Sequence, residues 1–322
     1  MSFQKENFLM LILMGLLILA GCKRAGNNNT YKGVAKNEDG KTYIFQLHLI
    51  AGEQYNYTTS NETVTIVEVN KEQITSTNNS TVGLLYRVLV STPDSIVLKA
   101  TYQGFHVIIN AGNEKQVIDA DNAEESGNPA EKILAGIKGS SLLITLNKKG
   151  IVTNISGAKT ITDKIMSGLN IYNDEATKQK IMSQLSKLVG DEFIKNNIES
   201  AFNFFPDGSV AVGDSWQHKK LQPGEINFEA SITYTLDGVE DDMTAISVNS
   251  SMKTGKTSAN LMGQQVNANI TGTMVGSFEV DRATGMLSTS TSTTKLEGYV
   301  QVMAKEIPIE ITTKKKLQIK RL

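Results

Sequence analysis

Along most of this chain, apolar residues recur at every second position in short runs bounded by Gly, Asn, Asp or Pro. This is the period of a strand with one face buried. Between Lys41 and Val117 the runs Tyr43 to Ile50, Glu62 to Val69 and Ser95 to Tyr102 alternate over most of their length, and Gly104 to Asn110 adds another. Together they predict an antiparallel meander with one solvated face. The period then lengthens. Asn128-Pro129 offers a cap and an N1 proline for a helix over Pro129 to Lys138, with Ile133, Leu134 and Ile137 on one face and Gly139 after its end. Residues 141–157 return to strand as two apolar runs around a turn in which Gly150 can take a positive φ.

Residues 160–169 open a helical stretch. Asn173 caps Asp174-Glu175, and Ile181, Met182, Leu185, Leu188 and Val189 recur at helical spacing up to Gly190. Asp191 begins another helix with Phe193, Ile194, Ile198 and Ala201 inward. This stripe is expected to fill a core against a sheet rather than to wall a ligand pocket. From Pro206 onward the strand pattern resumes and runs to Ile319. Gly276 to Thr289 repeats the form of the 141–157 hairpin: strand, Asn or Asp, a short turn, Gly, strand. The expected fold is mainly β (α+β), with antiparallel curved sheets or a half-barrel in two β-rich halves, 32–158 and 206–322. A helical segment (159–205, its helices at about 160–202) packs on the sheet between them.

The N-terminus has a different pattern. Thirteen apolar or small residues, Phe8 to Ala20, run into Leu19-Ala20-Gly21-Cys22, which contains the only cysteine of the chain. That run is shorter than the ~20 residues a bilayer span needs, and it resembles the lipobox of bacterial lipoprotein signal peptides. The resemblance implies cleavage after Gly21, a signal peptide over 1–21, diacylglycerol on Cys22 and a membrane anchor made permanent by several acyl chains. Residues 22–31 are polar and Gly/Asn-rich, the composition of a flexible tether. Lys23 stands where an aspartate retains many such lipoproteins in the inner membrane. The tether also lacks the acidic cluster associated with surface export in Bacteroidota-like bacteria, so the resemblance favours the periplasmic face of the outer membrane. With its single cysteine acylated, the chain has no disulfide to form. A net charge of −1 provides no electrostatic case for a nucleic-acid partner.

Few residue groups suggest chemistry. Gly213-Asp214-Ser215-Trp216 resembles the opening motif of a family of esterases whose serine is the nucleophile. That family needs an Asp-x-x-His near the C-terminus, and here the last histidine is His218, so Ser215 lacks the base that would activate it. The alternative is a tight Gly-Asp turn with Trp216 plugging the core. Gly255-Lys256-Thr257 lacks the upstream glycine and the strand-loop-helix setting of a phosphate loop. His48, His106 and His218 lie far apart with no metal-ligand spacing, and Glu240-Asp241-Asp242 reads as a solvated hairpin tip rather than a calcium loop. No cofactor, metal or catalytic residue is therefore expected. Asp94-Ser95-Ile96 matches the O-glycosylation acceptor of Bacteroidota, which makes Ser95 a possible glycan site. Lys314-Lys315-Lys316 with Lys320-Arg321 forms a basic tail that could touch anionic headgroups, but Pro308 marks the run before it as an edge strand, where lysines prevent aggregation, and this is the preferred reading.

The lipobox, the Tyr31 to Leu47 region, the Gly150 hairpin and the Val212-Gly-Asp-Ser-Trp216 turn together resemble uncharacterised envelope lipoproteins of Bacteroidota. The resemblance implies compartment and a β-rich fold but supplies no activity. The expectation is a non-enzymatic, membrane-anchored periplasmic protein that binds a protein partner or an apolar ligand. The rival readings are a lipid or lipoprotein carrier with a half-barrel cavity and a hydrolase of envelope glycans, for which the sequence nominates no carboxylate pair.

Overall fold

A computed structural model of the chain describes residues 33–121, 129–168, 191–222, 226–254, 259–261, 264–302 and 305–322. Cys22, the leader and the tether lie outside the described residues, as do Asn173, the stripe from Ile181 to Val189, the Gly255-Lys256-Thr257 loop and the side chain of Phe193. The elements run β1 (Val34–Lys36), β2 (Thr42–Phe45), β3 (Gln54–Val69), β4 (Glu72–Ser91), β5 (Ser95–Ala111), β6 (Glu114–Asp119), α1 (Pro129–Ile137), β7 (Ser141–Asn147), β8 (Val152–Ser156), α2 (Ala158–Gly168) and α3 (Asp191–Phe202). They continue with β9 (Val210–Ala211), β10 (Ser215–Gln222), β11 (Phe228–Val239), β12 (Met243–Thr254), β13 (Ala259–Leu261), β14 (Gln264–Asp281), β15 (Leu287–Val302) and β16 (Lys305–Arg321). Strands dominate the described residues, so the fold is mainly β.

The two β-rich halves are not separate. They form one curved, open antiparallel sheet in the order β10-β11-β12-β14-β15-β16-β3-β4-β5-β7-β8, with β13 beside β14 and β6 beside β5. The last strand joins the first long one. β16 pairs with β3 in continuous register from Ile309 opposite Val67 to Arg321 opposite Tyr55. β1, β2 and β9 make a second, three-stranded sheet.

The strands are longer than the alternation suggested: β3, β4 and β5 have 16, 20 and 17 residues. Gly104 to Asn110 is the far half of β5 and not a strand of its own. In β3 and β4 the alternation fades because Ser, Thr and Asn occupy both faces, and period-2 patterning is visible only where one face is dry. Cross-strand hydroxyl and amide contacts hold these halves together. Examples are Ser60 with Thr81 at 3.2 Å, Thr63 with Thr313 at 3.1 Å and Asn110 donating to Thr77 at 2.8 Å. Asn70 and Lys71, at φ 55° and 72°, close β3 onto β4 with the double left-handed geometry of a two-residue hairpin turn.

The expected strand Tyr43 to Ile50 is half right. β2 ends at Phe45, and the N–H groups of Gln46, Leu47 and His48 go to three different segments, the first to Gly33, which precludes a ladder. Leu47 donates its N–H to Lys148 in the β7–β8 turn, and His48 donates to Thr284 in the β14–β15 turn, each at 2.8 Å. Leu47 and Leu49 are fully buried. These are the two hairpins whose sequences echo each other, and their glycines take matching conformations, Gly150 at φ 76° and Gly285 at 73°. Both sit too close to backbone for a side chain. A Cβ on Gly150 would lie 2.0 Å from the Phe202 carbonyl oxygen, and one on Gly285 would lie 2.2 Å from that of Gln46.

Pro308 does not place its strand at an edge, because β16 lies mid-sheet. Pairing with β3 begins one residue later, at Ile309, so the missing N–H of Pro308 falls where only β15 is alongside. The core lies on the inner face of the sheet and is rich in aromatics. Tyr86 meets Tyr57 and Phe202 edge-on at 5.6 and 5.8 Å, and Phe204 meets Phe205 and Phe278. Ile194, Ile198, Ala201 and Phe202 of α3 and Ile161 and Ile165 of α2 are buried in that cluster.

Gly150→Ala should lower stability by at least about 2 kcal/mol, because it combines left-handed strain with a clash at the end of α3. Chemical denaturation of the variant checks this, and an unchanged midpoint would refute the packing described at this turn.

Candidate functional site

The Gly213-Asp214 turn is built as the sequence suggested. Gly213 takes φ 95°, and the Asp214 carboxylate accepts the Ala211 N–H at 2.8 Å. In β10 the side chains alternate, so Ser215 points outward, where its hydroxyl lies 2.8 Å from that of Thr235, while Trp216, His218 and Lys220 share the inner face. Ser215 and His218 are thus on opposite faces and cannot form a nucleophile–base pair. Trp216 is half-buried. It stacks on Tyr234 with ring centroids 5.7 Å apart, and its indole N–H donates to the Phe204 carbonyl at 2.8 Å.

The other sequence candidates are scattered. His106 contacts Asp119 at 3.0 Å, His218 meets the Tyr234 ring edge-on, and His48 lies near the β14–β15 turn. Burial lowers the His218 pKa, as does the neighbouring Lys220. Among the described residues no three His, Cys, Asp or Glu side chains come together. Glu240-Asp241-Asp242 forms the β11–β12 tip, where the Glu240 and Asp241 carbonyls accept from Arg282. Ser95 opens β5 with its hydroxyl 3.1 Å from that of Thr92, beside a fully buried Ile96, so an attached glycan would have to displace that contact.

The structure does bring together a group that the sequence reading treated as a tail. On the inner face, register aligns Tyr234, Val248, Gly276, Ser292, Lys315, Asn61 and Ser80 in one row across the sheet. The next row toward the sheet's far end holds Ile232, Ser250, Met274, Thr294, Thr313, Thr63 and Asn78. Toward β15, β16, β3 and β4 both rows are polar. They form a hydroxyl and amide band between the aromatic core and a second apolar cluster of Val266, Ile270 and Val300.

Where the band meets the apolar wall of β11, β12 and β14, a pocket of about 310 Å³ opens beneath α3. Ile232, Tyr234, Val248, Met274, Phe278 and Leu317 line its apolar side, and Ser290, Ser292, Thr294 and Thr313 provide hydroxyls. Two lysines reach it, Lys220 and Lys315, and no aspartate or glutamate is among its lining residues.

The lysines differ in their partners. The Lys220 ammonium donates to the carbonyl of Asn203 at 2.7 Å and, more distantly, to that of Glu199 at 3.4 Å, which also accepts the Asn203 N–H at 2.9 Å, at the negative C-terminal end of α3. Burial still lowers its pKa to about 8. Lys315, partly buried, makes no hydrogen bond or ion pair among the described residues, and burial alone lowers its pKa. The signal for this lysine was in the sequence. Ile309, Ile311, Thr313, Leu317 and Ile319 occupy the same alternate positions as Lys315, which makes it an inward member of an otherwise uncharged register, while Lys314 and Lys316 point out.

A family model matches residues 93–287, more than half of the chain. The chain belongs to a family of unknown function, DUF6263. The matched region of this family member carries the three helices and the pocket walls from β10 to β14, while Lys315 lies beyond it. No curated protein matches the chain in sequence. Among solved structures it is similar to a lipovitellin structure described as "lipid-protein interactions in lipovitellin". The identity is 10% and the TM-score 0.46, over 84% of this chain and 25% of that one. The chain thus spans about a quarter of the lipovitellin chain. It is also similar to an outer membrane channel from Pseudomonas putida F1, at 6% identity and TM-score 0.22 over 85% of this chain and 97% of that one. At these scores neither likeness carries weight for function.

Trp216→Ala should destabilise the chain by about 3–5 kcal/mol through lost aromatic packing, whereas Ser215→Ala should change stability by no more than about 0.5 kcal/mol. Thermal melts of the two variants test the contrast. Lys220→Met, which removes the ammonium from the Asn203 carbonyl, should cost about 1–2 kcal/mol in the same assay.

Proposed function

We propose that this chain is a non-enzymatic lipoprotein, anchored through Cys22 at the periplasmic face of the outer membrane, that binds a small apolar or amphiphilic ligand in the inner-face pocket. The observation that carries this reading is the pocket itself: concave, walled by aliphatic and aromatic side chains, and edged by a few convergent polar groups, which is the composition of small-molecule sites. The lipobox supports the anchor. The filled aromatic core next to the pocket favours a single small ligand over the large lipid load of a half-barrel carrier.

Both parts can be tested on the full chain. Wild type should incorporate a palmitate analogue and partition with membranes, and Cys22→Ala should do neither, so continued labelling of the variant would sink the anchor. Trp216 is the only tryptophan and stacks on Tyr234 of the pocket wall, so its emission reports occupancy. Dodecanol added to the purified, anchored chain in an uncharged amphiphilic polymer should shift that emission saturably. If neither dodecanol nor a charged amphiphile of equal length does so, the ligand-binding reading fails.

A further inference from the structure

Lys315 is the group in the pocket that packing does not explain. It stands in a register otherwise occupied by Ile309, Ile311, Thr313, Leu317 and Ile319, none of them charged, and both flanking lysines point outward. Lys314 reaches the Glu62 carboxylate at 4.0 Å from that outer face, a partner that Lys315 cannot share. Directly opposite Lys315 are Ser292 on β15 and Asn61 on β3, and the Asn61 amide is turned to Ser80 at 3.4 Å. Lys220 is committed to the end of α3. The nearest acid on that helix, Glu199, uses its carboxylate to accept the Val152 N–H at 3.0 Å. A cation withdrawn from water without a counter-charge is destabilising, and the lining offers none.

We infer that the pocket takes a single-chain anionic amphiphile, with its carboxylate or phosphate headgroup held by the Lys315 ammonium and its alkyl chain lying against Ile232, Val248, Met274 and Phe278. The inference rests on the pocket reading above and adds the headgroup. Ser292 and Thr313, neighbours of Lys315 on the same face, are placed to donate their hydroxyls to the headgroup oxygens. The absence of lining acids removes the charge that would repel it. A neutral ligand of the same length would fill the apolar side and leave the lysine uncompensated. A cationic one would add like charge.

The test titrates the full anchored chain, in the same uncharged polymer, with dodecanoate, dodecyl phosphate and dodecanol, read by Trp216 emission. Wild type should bind at least one of the two anions about ten- to a hundredfold more tightly than the alcohol, the range expected of a charge-assisted hydrogen bond. A preference for dodecanoate identifies a fatty acid as the source, and one for dodecyl phosphate identifies a lipid phosphate. Lys315→Arg should keep the preference. Lys315→Met should bind all three alike and, without ligand, should melt at a higher temperature than wild type because an unpaired charge has been removed. Equal binding of anion and alcohol by wild type would overturn the headgroup assignment while leaving the pocket reading intact. A preference that survives in Lys315→Met, or an unliganded Lys315→Met chain that melts lower, would do the same. Silence toward all three probes would instead remove the pocket reading itself.

Discussion

Everything in this molecule depends on the ladder between β16 and β3. It joins segments at opposite ends of the described chain, Gln54–Val69 and Lys305–Arg321, and turns two meanders into one sheet with one inner face. Such a contact closes a loop of most of the chain's length. Its entropy cost grows only slowly with that length, but it must be met before the contacts it enables can repay it. Hydrogen bonding runs unbroken across it from Val67 to Tyr55. Without it the aromatic cluster loses its continuity, because Tyr57 on β3 could not lie opposite Ile319 on β16.

The candidate site sits beside this ladder. Its lining comes from α3, β10, β11, β12, β14, β15 and β16, and β3 extends its polar row past Lys315 with Asn61. The inner face is apolar below the band and polar within it, and the pocket lies on that boundary. An amphiphile needs such a boundary, a dry wall for the chain and polar groups for the head. The two lysines there serve different ends. Lys220 donates to carbonyls at the end of α3 and fixes the helix over the pocket, while Lys315 is held without a partner, a cost that a binding site can carry more readily than a structural one.

The segment 46–50 has a comparable role at the other end of the core. By donating in turn to the β7–β8 and β14–β15 hairpins it ties the two turns to each other, and Gly33 docks nearby, its N–H on the Ala283 carbonyl at 2.9 Å. The described chain therefore begins against the β14–β15 turn.

The sequence alone determined what local chemistry determines. Period-2 alternation located the half-buried parts of β5, β7 and β11. Asn128-Pro129 and Asp191 marked the starts of α1 and α3. Gly150 and Gly285 marked the tight turns, because a positive φ with no room for a Cβ leaves a residue-specific trace. The same logic rejected Ser215, whose missing base is a fact of composition. Where the strands carry hydroxyls on both faces, their length was not legible, since no burial contrast remains to set a period. The pairing of β16 with β3 was not legible either, because partner choice between strands of similar composition is a tertiary matter. That pairing placed Pro308 in mid-sheet, while the pairing of β16 with β15 turned Lys315 from one lysine of a basic tail into an inward charge on a pocket wall. Its place among Ile309, Ile311, Leu317 and Ile319 could be read from the sequence, but which strands would lie beside it, and that no carboxylate would line its pocket, was decided only by the tertiary pairing of the open sheet.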